Sequence, residues 1–207
     1  MTLRWLQVDE ALEHPPYYID PAEDLCYFAR EYVSGGGWQA SPTNQLISNF
    51  KKSPDKRGTR EWAYKEEAVS QFARELSEVL PQRCCAGFIP CSKRKDDPHY
   101  DDRLDLTLAQ LKVLRADLTT VEPLGMRESM EAYHVSGQRR HPNQIYEKLE
   151  WKGLPEDLDH VILIDDVLTS GAHFKACKRL IKEHHPNLEV VGVFWARAIP
   201  KHDPEST

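Results

Sequence analysis

Hydrophobic positions along the chain follow two patterns, short uninterrupted apolar runs and longer stretches with helical spacing. The apolar runs predict strands over residues 84–89, 118–124, 161–164 and 188–196. The helical spacing predicts helices that begin near Pro42, Trp62, Leu104 and Phe174. Because strands and helices alternate, we predict an α/β fold with a central parallel sheet of about four or five strands and helices on both faces.

Residues 1–40 follow neither pattern. A run rich in Tyr, Phe and Val at residues 25–33 precedes Gly35, Gly36, Gly37 and Trp38, which indicates a hairpin. The glycines lack the Lys-Ser/Thr pair and the helix of a nucleotide-binding loop, so we interpret them as a turn. The predicted organisation is an N-terminal arm and hairpin at 1–40, an α/β domain at 41–200 and a flexible tail at 201–207.

The charge balance argues against a protein that binds nucleic acid mainly by electrostatic attraction. The 207 residues carry a net charge of −6. A local basic patch keeps nucleic-acid binding as a weaker alternative, and it contains Lys51, Lys52, Lys56, Arg57 and Arg60. No apolar stretch approaches the roughly 20 residues of a membrane span, and the N-terminal segment lacks the apolar centre of a signal peptide. We expect a soluble, cytoplasmic protein.

The cysteines point to reduced thiols. Their number, five, is odd, and none are spaced as Cys-x-x-Cys. The pattern predicts neither a disulfide framework nor a zinc ribbon. The histidines are scattered as well, so we predict no metal site that is built from protein side chains.

The stretch 161–175, VILIDDVLTSGAHFK, combines a strand, a turn and a helix. Four apolar residues precede Asp165 and Asp166, and Ser170 and Gly171 precede a helical pattern. A turn at a helix N-terminus presents backbone N–H groups that can hold a phosphate. Two carboxylates would repel phosphate but suit sugar hydroxyls, whereas a helix cap needs only one acid. The stretch therefore indicates a site for a phosphorylated sugar.

This stretch resembles the phosphoribosyl-pyrophosphate loop of type I phosphoribosyltransferases, in which a buried strand is followed by two acids and a loop of small residues. The resemblance implies that Asp165 and Asp166 are catalytic residues that bind the ribose hydroxyls. It implies that the 5′-phosphate is bound by Thr169, Ser170, Gly171, Ala172 and His173. The family usually has Thr or Ser at the last position. His173 can also donate a hydrogen bond, but its side chain is bulkier.

A second predicted strand, residues 84–89, ends in a polar run. Parallel strands bring their carboxyl ends to the same edge of a sheet, so we expect this run to lie opposite the acid pair. The resemblance implies that pyrophosphate is bound by Cys91, Ser92 and Lys93. It also implies that the acidic loop at 96–103 closes over the substrate. The alternative for the polar run is an exposed basic turn.

Three segments resemble competence protein F-like (ComF-like) phosphoribosyltransferases, namely NFKKSPDKRGTREWAYKEEAVSQFA at 49–73, IPCSKRK at 89–95 and RRHPN at 139–143. The resemblance begins near Ser41 and lacks the zinc ribbon that often precedes this domain. It implies the type I phosphoribosyltransferase fold with a small hood, which residues 1–40 and the middle segment of the chain would form. Arg94, Arg139 and Arg140 are hood candidates. Arg139 and Arg140 would contact pyrophosphate or a neighbouring subunit, and plain surface charge is the alternative.

The resemblance implies a phosphoribosyltransferase that acts in nucleotide metabolism. We expect it to bind phosphoribosyl pyrophosphate, or a nucleotide monophosphate, with Mg²⁺ held mainly by substrate oxygens. Transfer of ribosyl 5-phosphate to an unidentified nucleophile would release pyrophosphate. The alternative is a sensor or interaction module of a larger bacterial system, as a homodimer or with a partner protein, that binds the ligand without turnover. His173 and the lack of a recognisable acceptor pocket favour this alternative.

Overall fold

Nine strands and five α-helices lie in the part of the chain that the computed structural model describes, residues 3–130 and 140–201. The strands are β1 (Leu6–Gln7), β2 (Cys26–Phe28), β3 (Glu31–Val33), β4 (Cys85–Phe88), β5 (Thr119–Thr120), β6 (Leu124–Met126), β7 (Leu149–Trp151), β8 (His160–Leu168) and β9 (Glu189–Ile199). The helices are α1 (Pro42–Phe50), α2 (Trp62–Val79), α3 (Arg103–Leu114), α4 (Pro142–Tyr146) and α5 (Ala172–His184).

The central sheet is mostly parallel. Its strand order is β1–β2–β9–β8–β4–β5, and β3 also pairs with β9. Only the edge pair β1–β2 is antiparallel among the strand pairs described for this sheet. The predicted α/β fold with a central parallel sheet is confirmed. The sheet has seven strands, more than predicted, because the short strands β1, β2 and β3 extend it beyond β9. A separate antiparallel ribbon consists of β6 and β7.

Hydrophobic cores cover both faces of the sheet, because successive side chains of a strand point to opposite faces. On one face, Leu163 and Phe194 belong to a core that includes the apolar side of α5. On the other face, Ile164 and Trp195 belong to a core with α1, α2 and α3. Trp195 is fully buried and stacks on Phe72 of α2, with 4.6 Å between the ring centroids. The helices therefore lie on both faces, as the alternating pattern predicts.

The hairpin predicted within residues 25–38 is wrong. Strands β2 and β3 do not pair with each other; both run parallel to β9, with Phe28 opposite Phe194 and Val33 opposite Ile199. They form one interrupted strand along β9, because the chain keeps its direction between them. The glycine turn reverses the chain only after β3, and it leads into α1 rather than into a returning strand. Gly35 and Gly37 have positive φ values of 70° and 69°.

Helix α1 begins at Pro42, where a helix start is predicted. The Ser41 hydroxyl accepts the N–H of Asn44 at 3.0 Å, and Pro42 occupies the first turn. The predicted strand at 118–124 is divided instead into β5, in the main sheet, and β6, in the ribbon. Pro123 lies between them and has no N–H for a strand ladder. No helix within residues 3–130 and 140–201 has both the length and the apolar content that crossing a membrane requires.

Strand β8 is longer than its apolar run suggests. It continues past Ile164 and includes both acids, with Asp165 opposite Phe194 and Leu168 opposite Arg197 of β9. Because the backbone stays extended here, the side chains of Asp165 and Asp166 point to opposite faces of the sheet. This arrangement decides how each acid can contribute to a site.

Candidate functional site

The turn between β8 and α5 exposes a group of backbone donors. Gly171 caps the 13-residue helix α5 in the left-handed conformation, with φ 83°. Among the described residues, the N–H groups of Thr169, Ser170, Gly171 and His173 have no hydrogen-bond acceptor. The N–H of Ala172 has only the Ser170 hydroxyl, at 3.4 Å. Unpaired donors at the positive end of a helix dipole favour an anion.

The N-terminal arm covers one side of this turn. The N–H of Tyr18 donates to the carbonyl of Ser170 at 2.8 Å. The side chain of Ile19 lies so close to Gly171 that an added Cβ would be 2.6 Å from it. The arm is also tied to α5, because the buried Asp24 pairs with Lys175 and Lys178, each at 2.7 Å. Sequence reasoning missed this contact, since the arm shows no hydrophobic period.

Asp166 points to the face that α1 and α3 cover, and both of its oxygens are paired. Lys51, which follows α1, is 2.8 Å from Oδ1, and Nη2 of Arg103, at the start of α3, is 2.6 Å from Oδ2. Arg103 Nε donates to the same Oδ2 at 2.7 Å. The Asp166 side chain is only 4% exposed. Direct binding of ribose hydroxyls by Asp166 therefore requires at least one of these cations to move.

The pairs at Asp166 belong to a larger buried network of charges. Arg103 Nη1 also donates to Asp101, at 2.7 Å. The ammonium group of Lys65, which is fully buried on α2, binds Asp101 as well as the carbonyl of Lys52, the latter at 2.8 Å. The network thus joins three helices to the end of β8. Such buried ions are stabilised only when each has a partner.

The pKa values of the two adjacent acids are shifted in opposite directions. Burial and the neighbouring charge of Asp166 raise the pKa of Asp165. Burial acts in the same sense on Asp166, but Lys51 and Arg103 outweigh it and lower the pKa of that carboxyl. Asp166 is therefore the ionised member of the pair, whereas Asp165 retains a proton at pH values where an ordinary aspartate has lost it.

The imidazole of His173 is uncharged at neutral pH. Burial lowers the pKa of His173 to about 4, and the nearby positive charges of Arg140 and Lys51 act in the same direction. Arg140 is partly buried, and its guanidinium group has no hydrogen-bond acceptor and no ion-pair partner among the described residues. The structure thus brings the hood candidate Arg140 near the last residue of the turn. Arg139 lies outside the described residues.

The polar run after β4 lies at the same edge of the sheet as the acid pair. Phe88 is opposite Ile164, and the N–H of Ile89 donates to the carbonyl of Ile164 at 3.0 Å. Ser92 then contacts residues further along the chain, since its carbonyl accepts the N–H of Met130 at 2.6 Å. Lys93 is 3.8 Å from Asp97. The predicted common edge is observed, although Lys93 has an acidic neighbour.

Beside this run lies a cleft of about 280 Å³. Its walls come from the run, from β6 and from the segment around β7. Arg94 and Cys91 line it, and burial raises the pKa of the Cys91 thiol. Arg94 forms an ion pair with Asp96 at 2.7 Å and donates to the carbonyl of Arg127 at 3.2 Å. The cleft offers space next to the predicted pyrophosphate loop.

The protein side chains at this edge do not form a cation site by themselves. In the described residues, no group of three or more His, Cys, Asp or Glu side chains is arranged to hold a metal ion. Both oxygens of Asp166 are paired with cations, and Oδ1 of Asp165 accepts the N–H of Asp166 at 2.8 Å. A Mg²⁺ ion here would need ligand oxygens for most of its coordination.

Comparisons with known proteins leave the family open. No family model matches the chain, and no curated protein matches it. A search of solved structures finds similarity to the Helicobacter pylori xanthine-guanine-hypoxanthine phosphoribosyltransferase, with 9% sequence identity and a TM-score of 0.34. The match covers 68% of this chain and 84% of that chain. A TM-score this low supports no functional argument, so the assignment of a function rests on the residues of the site.

Proposed function

We propose that the protein binds a ribose 5-phosphate group at the turn between β8 and α5, with phosphoribosyl pyrophosphate as the ligand. The observation that carries this proposal is that four backbone N–H groups of the turn have no acceptor among the described residues, namely those of Thr169, Ser170, Gly171 and His173. They lie at the N-terminal end of α5, where the helix dipole favours an anion. A phosphate monoester has the charge and the acceptor oxygens that such a turn requires.

The charges around the turn support an anionic ligand. Lys51, Lys65 and Arg103 are three cations that share two paired acids, Asp101 and Asp166. Arg140 adds a positive charge near His173. Such a surplus of positive charge at a partly buried site is reduced when a phosphate binds.

As a phosphoribosyltransferase, the protein would break the bond between the anomeric carbon and pyrophosphate and form a bond from that carbon to a nucleophile. Asp165, which is only partly buried, would bind a ribose hydroxyl. Ser92 and Lys93 would contact the leaving pyrophosphate from the adjacent strand end. Mg²⁺ bound through substrate oxygens would neutralise part of the charge on that leaving group.

Ligand binding without turnover is the second candidate function. The observation that favours it is the pairing of both Asp166 oxygens with Lys51 and Arg103. Two cations next to this carboxylate weaken the negative potential that would stabilise positive charge on the ribose ring during transfer. A protein with this arrangement can recognise the phosphorylated sugar and still release no pyrophosphate.

Ligand-dependent thermal stability tests binding. Phosphoribosyl pyrophosphate with Mg²⁺ is expected to raise the melting temperature of the wild-type protein by mass action. Thr169→Glu adds a negative charge at the exposed edge of the turn and is expected to abolish the rise. Thr119→Glu, at an exposed position on β5, is the matched control and is expected to keep it. A wild-type melting temperature that does not respond to the ligand would contradict the proposal.

Pyrophosphate release then separates the two candidate functions. The protein is incubated with phosphoribosyl pyrophosphate, Mg²⁺ and a panel of purine and pyrimidine bases, ammonia and amines. Release that depends on one acceptor class, and that Asp165→Asn reduces, supports the transferase. Binding in the melting experiment with no release for any acceptor supports the sensor. Asp157→Asn, an exposed substitution of the same type, is the control.

A further inference from the structure

The ion pair between Lys51 and Asp166 blocks one oxygen of Asp166, the acid next to the Asp165 to which the proposed function assigns a ribose hydroxyl. Lys51 Nζ is 2.8 Å from Asp166 Oδ1, while Arg103 contacts only Oδ2. Oδ1 is therefore the oxygen that becomes available when a single side chain moves. The question is which of the two cations can move at small cost.

The two cations differ in how firmly they are held. Arg103 is 14% exposed, and its guanidinium also binds Asp101, so it bridges two acids. The Lys51 side chain is 43% exposed, and Asp166 is its only ion-pair partner among the described residues. A lysine side chain is a flexible stem with a point charge, whereas the planar arginine fork is fixed by its paired contacts. Lys51 is thus the mobile partner.

A ligand phosphate at the turn would offer Lys51 a second anion. Asp166, the partner of Lys51, lies near the end of β8, which leads directly into the turn, and the charges of Lys51 and Asp166 both act on His173. The turn and the ion pair are therefore close enough to interact electrostatically. The backbone at Lys51 is fixed by its N–H, which donates to the carbonyl of Ile47 at 2.9 Å, so only the side chain needs to turn.

We propose that Lys51 is a transferable counter-ion, which pairs with Asp166 in the ligand-free protein and moves to the ligand's phosphoryl group on binding. The movement releases Asp166 Oδ1 for a ribose hydroxyl, while Arg103 keeps the carboxylate in place. Phosphate binding thereby prepares the sugar site. This inference rests on the proposed function, because it requires a phosphate on the turn.

Calorimetric titrations with inorganic phosphate and with ribose 5-phosphate test the exchange. Lys51→Gln is expected to lower the affinity for inorganic phosphate by about tenfold, the size of a typical coupling between charged groups, and Lys51→Arg to restore most of it. Lys56→Gln is the matched control, because the Lys56 side chain is also 43% exposed and its ion-pair partner is Glu61 instead of Asp166.

Asp166→Asn, compared with and without Lys51→Gln, separates an exchange from the simple loss of a negative charge. Without the carboxylate, Lys51 no longer has to leave a partner, so the affinity for inorganic phosphate is expected to rise several-fold, on the scale of one charged hydrogen bond. The double variant Asp166→Asn with Lys51→Gln is expected to lose this gain. Ribose 5-phosphate should not share the gain, because the variant lacks the carboxylate for the sugar hydroxyls.

The outcomes distinguish this inference from the proposed function. If Thr169→Glu abolishes binding but a folded Asp166→Asn variant shows no gain for phosphate, the exchange is wrong and the phosphate site stands. If the wild-type protein binds neither probe, both proposals fail. If Asp166→Asn does not fold, the Lys51 variants decide: wild-type phosphate affinity in Lys51→Gln overturns the exchange.

Discussion

Arg103 and Asp166 link α3 directly to the end of β8, with Arg103 Nη2 2.6 Å and Nε 2.7 Å from Oδ2 of the carboxylate. The guanidinium also satisfies Asp101, which in turn binds the buried Lys65. One side chain thus compensates two acids, and its position fixes the start of α3 against the sheet. The stability of the network depends on this residue.

Arg103→Met should destabilise the protein strongly. The substitution keeps a long apolar stem but leaves Asp166 and Asp101 short of a partner, and breaking a buried pair in this way costs roughly 3–5 kcal/mol. Chemical denaturation with urea measures the loss in the free energy of unfolding. Arg74→Met, on an exposed part of α2, is the control. An equal effect of the two substitutions would show that the network contributes little.

Gly171→Ala should also destabilise the protein, for two separable reasons. The left-handed backbone at φ 83° costs an alanine roughly 1–2 kcal/mol, and the added Cβ would meet Ile19 at 2.6 Å. Gly58→Ala isolates the backbone cost, since Gly58 has φ 81° and no atom within 4 Å of an added Cβ. Urea denaturation should therefore show a larger loss at Gly171 than at Gly58.

A double-mutant cycle tests the contact between the N-terminal arm and the turn. Ile19→Ala combined with Gly171→Ala is expected to be less destabilising than the sum of the single substitutions, because the smaller side chain leaves space for the new methyl group. If the losses in the free energy of unfolding are additive, the side chain of Ile19 does not contact position 171 in solution.

The sequence indicated the elements of the fold well, because most depend on local signals. The hydrophobic pattern predicts the positions of β4, β8 and β9. Helix α1 likewise begins at the predicted position, after the Ser41 cap. The relation of β2 and β3 to β9 could not be predicted in this way. It depends on pairing with a strand at the other end of the chain, and no local pattern records the partner of an edge strand.

The site was predictable in part. The turn at Ser170 and the adjacent acids were visible as a motif, and the common edge with Ser92 followed from the parallel sheet. The pairing of Asp166 with Lys51 and Arg103 was not predictable, because the two cations lie at the ends of separate helices. Two signals were present nevertheless. Val167 and Leu168 continue the β-favouring run past the acids, and Lys65 interrupts the apolar stripe of α2 at a buried position.

Asp165→Asn should stabilise the protein at alkaline pH. The raised pKa of Asp165 means that the folded state prefers the protonated carboxyl, so its contribution is present at low pH and is lost as the pH rises through the folded-state pKa. Asparagine cannot ionise and keeps an oxygen for the N–H of Asp166. We expect a gain of roughly 1–3 kcal/mol at about pH 9 and little change at about pH 4.

Urea denaturation at both pH values checks this prediction, with Asp157→Asn as the exposed control. A variant that is less stable than the wild-type protein at alkaline pH would mean that the Asp165 carboxylate has a stabilising partner in solution. The transferase hypothesis expects Asp165→Asn to lower pyrophosphate release. Urea denaturation of the same variant shows whether a lower release reflects lost chemistry or lost folding.

His173→Gln should flatten the dependence of stability on pH under acidic conditions. The folded-state pKa of His173, about 4, is below the ordinary value of 6.5. Between these values the unfolded chain takes up a proton that the folded protein does not, so the contribution of His173 is present above about pH 6.5 and is lost as the pH falls towards about pH 4. The slope for one full proton is about 1.4 kcal/mol per pH unit.

Urea denaturation at several pH values within this window gives the slope for each variant, and glutamine preserves a side chain that can donate to a ligand. His99→Gln, at an exposed position, controls for the loss of a histidine as such.

Because Lys51 and Arg140 contribute to the low pKa of His173, bound phosphate should raise that pKa by offsetting their charge. The difference between His173→Gln and the wild-type protein should therefore shrink when phosphate is present, and a difference that phosphate leaves unchanged would place the anion away from His173.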